Sequence, residues 1–157
     1  MIPNKARLSR ILVLLALAAV VVGVASLAEA QEVRLRGLGG EELRDADLGQ
    51  GTTIIVVWAS WSPRGRDVVD RVNALSGRWG RQARVITVNF QEDRATVEGF
   101  LAGKGMRAPV FLDGDGAFAK RHAVTNLPGL LVVQNGEVAY RGKLPDDPDA
   151  VLAEIIR

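Results

Sequence analysis

Thr52-Thr53-Ile54-Ile55-Val56-Val57-Trp58-Ala59-Ser60-Trp61-Ser62-Pro63-Arg64-Gly65 is the stretch on which the reading of this chain turns. Its first half is an unbroken β-branched run, which predicts a strand over Thr52–Trp58 buried on both faces. Its second half breaks that pattern with Ser62, a good helix N-cap, and Pro63, a good first helical residue. Beyond them Val68, Val69, Val72, Leu75 and Trp79 return every three or four residues on one face, which predicts a helix that Gly80 stops.

Working outward, the same alternation repeats. Toward the amino terminus, Val33–Arg36 alternates apolar and charged residues as a half-exposed strand before Gly39-Gly40, and Glu41–Gln50 reads as a polar connector. Toward the carboxyl terminus, Arg84–Phe90 reads as a strand, Arg94 to about Ala102 as a helix and Pro109–Leu112 as a short strand. Asp113-Gly114-Asp115-Gly116 is a turn, and Ala117–Ala123 a short helix. Gly129–Gln134 and Glu137–Arg141 flank Asn135-Gly136, a strong type I′ hairpin signal, and a helix from about Asp147 closes the chain. Strand and helix alternate first, then a hairpin and a helix finish. That order predicts an α/β fold with a mixed central sheet and helices on both faces.

The chain contains no cysteine. Disulfide exchange needs a thiolate and a partner sulfur, so the chain cannot perform it alone. A domain above about 100 residues does not need disulfides for stability, so the absence bears on chemistry and not on folding.

The amino terminus reads as a leader. Lys5, Arg7 and Arg10 precede an apolar run from Ile11 to Val24, and Ala28-Glu29-Ala30 has the small-x-small pattern of a signal-peptidase site. Residues 1–30 are therefore expected to be a signal peptide, with Gln31 the first mature residue and export to a bacterial periplasm. An uncleaved leader would tether the domain to the outer face of the cytoplasmic membrane, because Ile11–Ala28 approaches the roughly 20 residues that span a bilayer. Residues 31–157 then form a single domain, within the usual size range of about 100–150 residues.

Charge narrows the partners. The leader holds three of the twenty Lys+Arg and one of the eighteen Asp+Glu, leaving seventeen of each in the domain. A balanced, interspersed surface has no net field for nucleic acid. No metal or cofactor is expected: His122 is the sole histidine, and without cysteine it has no companions for a zinc or copper site. Asp113 with Asp115, and Asp146 with Asp147 and Asp149, lack the distal glutamate of a calcium loop and read as turn formers.

Taken together, Val57-Trp58-Ala59-Ser60-Trp61, Pro109-Val110-Phe111-Leu112-Asp113, Leu127-Pro128 and Asn135-Gly136-Glu137-Val138 make the chain from about residue 33 to 157 resemble the thioredoxin fold. Within that superfamily it is similar to the TlpA-type group of exported, often membrane-tethered thiol-disulfide oxidoreductases. Those proteins carry Cys-x-x-Cys directly after the second tryptophan, where this chain has Ser62-Pro63-Arg64-Gly65. The resemblance thus implies a thioredoxin-like fold with a degenerate active-site motif at Ser62, Pro63, Arg64 and Gly65, and no catalytic residue.

The resemblance also implies a cis bond before Pro128 and a backbone there that pairs with extended peptides, a mode of capture that needs no sulfur. Gly129 departs from the threonine common in the family. Trp61, Arg64, Leu127 and Pro128 are the expected partner-binding residues, and Trp58 is expected in the core. Arg64 would contact a carboxylate or other anionic group of the partner, unless Asp67 and Asp70 offset Arg64 and Arg66. Ser62 is not expected to act as a nucleophile, since His122 should lie far from it. Two functions follow: a redox-inactive exported domain that binds a protein or peptide, or an oxidoreductase-family protein whose disulfide chemistry is lost or supplied by a partner.

Overall fold

The computed structural model describes residues 32–157. The expected leader, residues 1–30, and its alternative as a membrane anchor lie outside the described residues. Seven strands build one sheet: β1 (Arg34–Gly37), β2 (Glu42–Arg44), β3 (Thr52–Trp58), β4 (Arg84–Phe90), β5 (Val110–Asp113), β6 (Gly129–Gln134) and β7 (Glu137–Lys143). Four helices join them: α1 (Val68–Trp79), α2 (Arg94–Leu101), α3 (Ala117–Arg121) and α4 (Pro148–Ile155). The strand order is β2-β1-β5-β4-β3-β6-β7. β3, β4 and β5 run parallel, while β6 and β1 pair antiparallel to β3 and β5, so the sheet is mixed.

The period-2 geometry of β3 divides the core. Ile54, Val56 and Trp58 face one layer with Val68 and Val72 of α1, Val97 of α2 and Leu152 of α4. Ile55 and Val57 face the other with Phe118 of α3, Leu35, Leu43 and Leu48. All five β3 side chains are fully buried. Burying each such side chain contributes about 1.5–3 kcal/mol, so the β-branched run anchors both layers at once. Helices therefore cover both faces of a thioredoxin-like α/β fold.

Two local expectations need correction. The stretch Glu41–Gln50 is not a plain connector: β2 pairs with β1 through Leu43 opposite Leu35, and Asp45–Leu48 forms a 3-10 turn. Leu43 and Leu48 are both buried. One inward residue per three-residue strand shows no periodicity, so only pairing with β1 reveals it. The helix after the motif is also split. Pro63–Gly65 is a single 3-10 turn, and the α-helix starts only at Val68.

The other ends follow their local chemistry. Asp93 caps α2 by accepting from the Thr96 N–H at 2.7 Å, and Asp147 precedes Pro148 at the start of α4. The hairpin turn places Asn135 and Gly136 at φ 52° and 85°, the left-handed pair a type I′ turn requires. Asp113, Asp115 and Asp147 accept backbone N–H groups of Phe118 and Ala119, Ala117, and Asp149 respectively, as turn and cap residues do.

Candidate functional site

Topology brings two distant loops together. The antiparallel register sets Val57, near the end of β3, opposite Gly129, the first residue of β6. The motif after β3 and the Leu127-Pro128 loop before β6 therefore meet at one end of the sheet. That end also holds the C-termini of the parallel strands, where open α/β sheets commonly place their ligands.

Within the motif the side chains diverge. Trp58 is fully buried against Phe100, with ring centroids 5.2 Å apart. Trp61 is 61% exposed, an uncommon position for so large an apolar ring. Ser60 is tied down from behind: the Glu92 carboxylate accepts from its N–H at 2.7 Å and from its hydroxyl. Glu92 also accepts from Asn89 Nδ2 at 2.7 Å. No local pattern marks Glu92 or Asn89: Glu92 reaches the loop from just after β4, and Asn89, near the end of β4, supports it.

Ser62 does not cap the helix. Its side chain makes no cap bond, and its hydroxyl instead donates to the Leu127 carbonyl at 2.9 Å. Ser62 is 5% exposed. A hydroxyl that is buried, committed to a carbonyl and without a base beside it is not set up for nucleophilic attack. The histidine that a serine nucleophile would need lies elsewhere. His122 packs on Phe118 with centroids 4.4 Å apart, and its Nε2 lies 3.3 Å from Asp45 Oδ1. Burial pushes the His122 pKa below its ordinary value, and the hydrogen bond and charge of the Asp45 carboxylate, which accepts from the ring, only partly oppose this.

Gly65 and Ser62 keep a compact turn. The Gly65 N–H donates to the Ser62 carbonyl at 2.9 Å, and the Ser62 N–H donates to the Ala59 carbonyl at 3.2 Å. A Cβ placed on Gly65 would stand 3.7 Å from the Ser62 Cβ and 2.9 Å from the Ala59 carbonyl oxygen. The first distance lies within the roughly 3.5–4.5 Å that a disulfide bridges.

Across the gap, the Leu127–Pro128 peptide bond is cis. Both carbonyls of this pair are occupied, Leu127 O by Ser62 and Pro128 O by the Leu144 N–H at 2.9 Å. The Leu127 N–H has no partner among the described residues. A Cβ on Gly129 would sit 2.6 Å from the Asn126 carbonyl oxygen and 3.0 Å from Val124 Cγ1. The loop before Pro128 thus packs over the space that a threonine would occupy, which accounts for glycine at this position.

Between the two loops lies a groove of about 550 Å³ lined by Pro63, Arg64, Arg66, Asp67, Arg71, Asn126, Leu127, Pro128, Lys143, Leu144 and Asp146. Three of the four expected binding residues, Arg64, Leu127 and Pro128, line it. Trp61 is not among its lining residues. Neither the Arg64 nor the Arg66 side chain makes an ion pair or hydrogen bond, with Asp67, Asp70 or any other group, among the described residues. Arg71 from α1, Lys143 from the end of β7 and Asp146 from the loop beyond it complete the groove; no local motif marks Arg71 or Lys143, and Asp146 reads only as a turn former. No group of three His, Cys, Asp or Glu side chains able to hold a metal occurs among the described residues.

A family model described as Redoxin matches residues 26–156. None of the curated proteins matches the chain in sequence. Among solved structures, the exposed lipoprotein thioredoxin of Streptococcus pneumoniae is 19% identical with a TM-score of 0.69, over 79% of this chain and 97% of that one. A putative thiol:disulfide interchange protein DsbE from Chlorobium tepidum is 23% identical with a TM-score of 0.68, over 80% of this chain and 92% of its own. StoA from Bacillus subtilis is 20% identical with a TM-score of 0.65, over 79% and 96%. At these identities the likeness establishes the thioredoxin-like fold.

Proposed function

The chain belongs to the Redoxin family, and we propose that it is an exported, redox-inactive member of the TlpA type that captures an extended segment of a partner protein in the cell envelope. The observation that carries this reading is the site without sulfur: Ser62 holds the Leu127 carbonyl where a reactive thiol would stand, yet the Leu127 N–H remains open. An extended chain adds to such a backbone through main-chain hydrogen bonds alone. Trp61 offers an exposed aromatic anchor close in sequence to the groove, and aromatic residues dominate contact energies at interfaces. Export is supported by the leader pattern of residues 1–30.

Two measurements test this. The purified protein is expected to give no insulin reduction above the rate of the chemical reductant, and protein-dependent turnover would overturn the redox-inactive reading. A photo-crosslinking amino acid at position 61 in intact cells is expected to attach to a discrete envelope protein. The same group at Lys120, exposed on α3, is expected to attach to none. Equal labelling from both positions would remove the case for a binding face at the motif.

A further inference from the structure

The charge of the groove goes further than peptide capture. Its lining carries four cationic side chains, Arg64, Arg66, Arg71 and Lys143, against two carboxylates, Asp67 and Asp146. The domain as a whole is balanced, so this excess is local. Among exposed arginines elsewhere, some are matched with acids, Arg44 with Asp47 at 3.5 Å, Arg94 with Glu98 at 2.9 Å and Arg121 with Asp45 at 2.8 Å, while others, such as Arg36 and Arg107, make no ion pair among the described residues; the groove differs in gathering several cations around one cleft. In the groove, Arg64, Arg66 and Lys143 have no partner among the described residues.

Arg71 is held differently and to the same effect. Its guanidinium donates to the carbonyl of Leu144 at 3.3 Å and to that of Pro145. Those bonds fix the arginine in the groove wall without a neutralising carboxylate. The cations also come from separate elements: Arg64 and Arg66 from the motif turn and the residues leading into α1, Arg71 from α1, and Lys143 from the end of β7. They line the same groove as Leu127.

We propose that this groove selects an acidic partner: an extended protein segment whose main chain meets Leu127 and whose Asp or Glu side chains meet Arg64, Arg66 and Lys143. Guanidinium groups bind carboxylates through paired N–H donors, which gives geometry as well as attraction. The inference rests on the peptide-capture reading and adds the chemistry of the segment.

The test uses the full chain and three fluorescein-labelled hexapeptides that alternate valine with aspartate, with asparagine or with lysine, measured by fluorescence anisotropy. The aspartate peptide is expected to bind about tenfold or more tightly than the asparagine peptide, the combined effect of two or more partly exposed ion pairs. That preference should shrink as salt rises. Arg64→Gln with Lys143→Gln, which removes charge without reversing it, is expected to abolish most of this roughly tenfold preference, and Arg64→Glu with Lys143→Glu to turn it toward the lysine peptide. An unchanged melting transition in the neutral pair ensures that the readout is binding and not folding.

Equal binding of the aspartate and asparagine peptides would overturn charge selection and leave peptide capture standing. An aspartate preference that survives both double variants would overturn the placement in this groove. Failure of all three peptides to bind would overturn this inference together with the capture reading it rests on.

Discussion

Two clusters of polar and charged side chains, one around Asp45 and one around Leu127-Pro128, are built on opposite principles. Around Asp45, every group is satisfied within the chain: Arg121 pairs with it at 2.8 Å, His122 at 3.3 Å, and the helix that carries both is capped by buried Asp113. Around Leu127-Pro128, the backbone is held by Ser62 and Leu144 while Arg64, Arg66 and Lys143 have no partner among the described residues. The first cluster therefore reads as structure and the second as a surface with capacity to spare for something else. Residue types alone would have pointed the other way, since histidine with aspartate is the more familiar signature of a catalytic site.

The largest effect should come from the satisfied cluster. Asp113 is fully buried and takes the N–H groups of Phe118 and Ala119 at 3.0 and 2.9 Å. Asp113→Ala strands both donors in the core and is expected to cost about 2–4 kcal/mol in chemical denaturation. A cost below about 1 kcal/mol, the worth of a single ordinary hydrogen bond, would show that this cluster is not the structural support described.

The next test probes how far the motif loop keeps a disulfide-compatible frame. Ser62→Cys with Gly65→Cys is expected to oxidise to an intramolecular disulfide, because the Cβ separation already fits. Closing so short a loop contributes about 2 kcal/mol in the chain-entropy view. The contact of the new Cβ with the Ala59 carbonyl and the loss of the Ser62 hydroxyl offset part of it. Free thiols that persist under mild oxidant, counted by thiol titration, would mean that the loop has been remodelled and not merely stripped of sulfur.

The smallest effect concerns pH. Burial lowers the folded-state pKa of His122, so the unfolded chain takes up the proton first as pH falls. The contribution is absent above the ordinary imidazole pKa of 6.5 and destabilises as pH drops below it toward the folded value. Asp45 on one side, and Arg121 and Arg141 nearby, are the charges that face the ring and set the size of this effect. His122→Gln should flatten the stability slope between about pH 6.5 and 5 in urea melts. A slope that persists in the variant would assign it to other groups.

The two clusters also differ in how far they could be read in advance. Ser62, Arg64, Leu127 and Pro128 were visible as a stripped motif and a proline loop, because each lies in a short run with its own local chemistry. The role of Ser62 was not visible. Its local setting argues for a helix cap, yet its partner is a carbonyl 65 positions away in sequence. Glu92, Arg71 and Lys143 carry no motif at all: Glu92 reaches the site from just after β4, Lys143 from the end of β7 and Arg71 from α1. The Asp45 pairing with His122 spans 77 positions and joins a segment read as a plain connector to the end of α3.

By itself the amino-acid sequence determined the absence of thiol chemistry, the alternation of strand and helix, the double-sided burial of β3 and the type I′ hairpin. Each of these depends on residue identity or on neighbours within a turn or two, where backbone propensity and side-chain period act directly. Only the tertiary structure decided that Ser62 locks a loop instead of capping a helix, that β2 exists, that Gly129 is required by the Asn126 carbonyl, and that four cations from separate elements share one groove. Those facts arise from contacts between segments that only the fold brings together: β2 has its partner in β1, and the motif meets the Leu127-Pro128 loop through the pairing of β3 with β6.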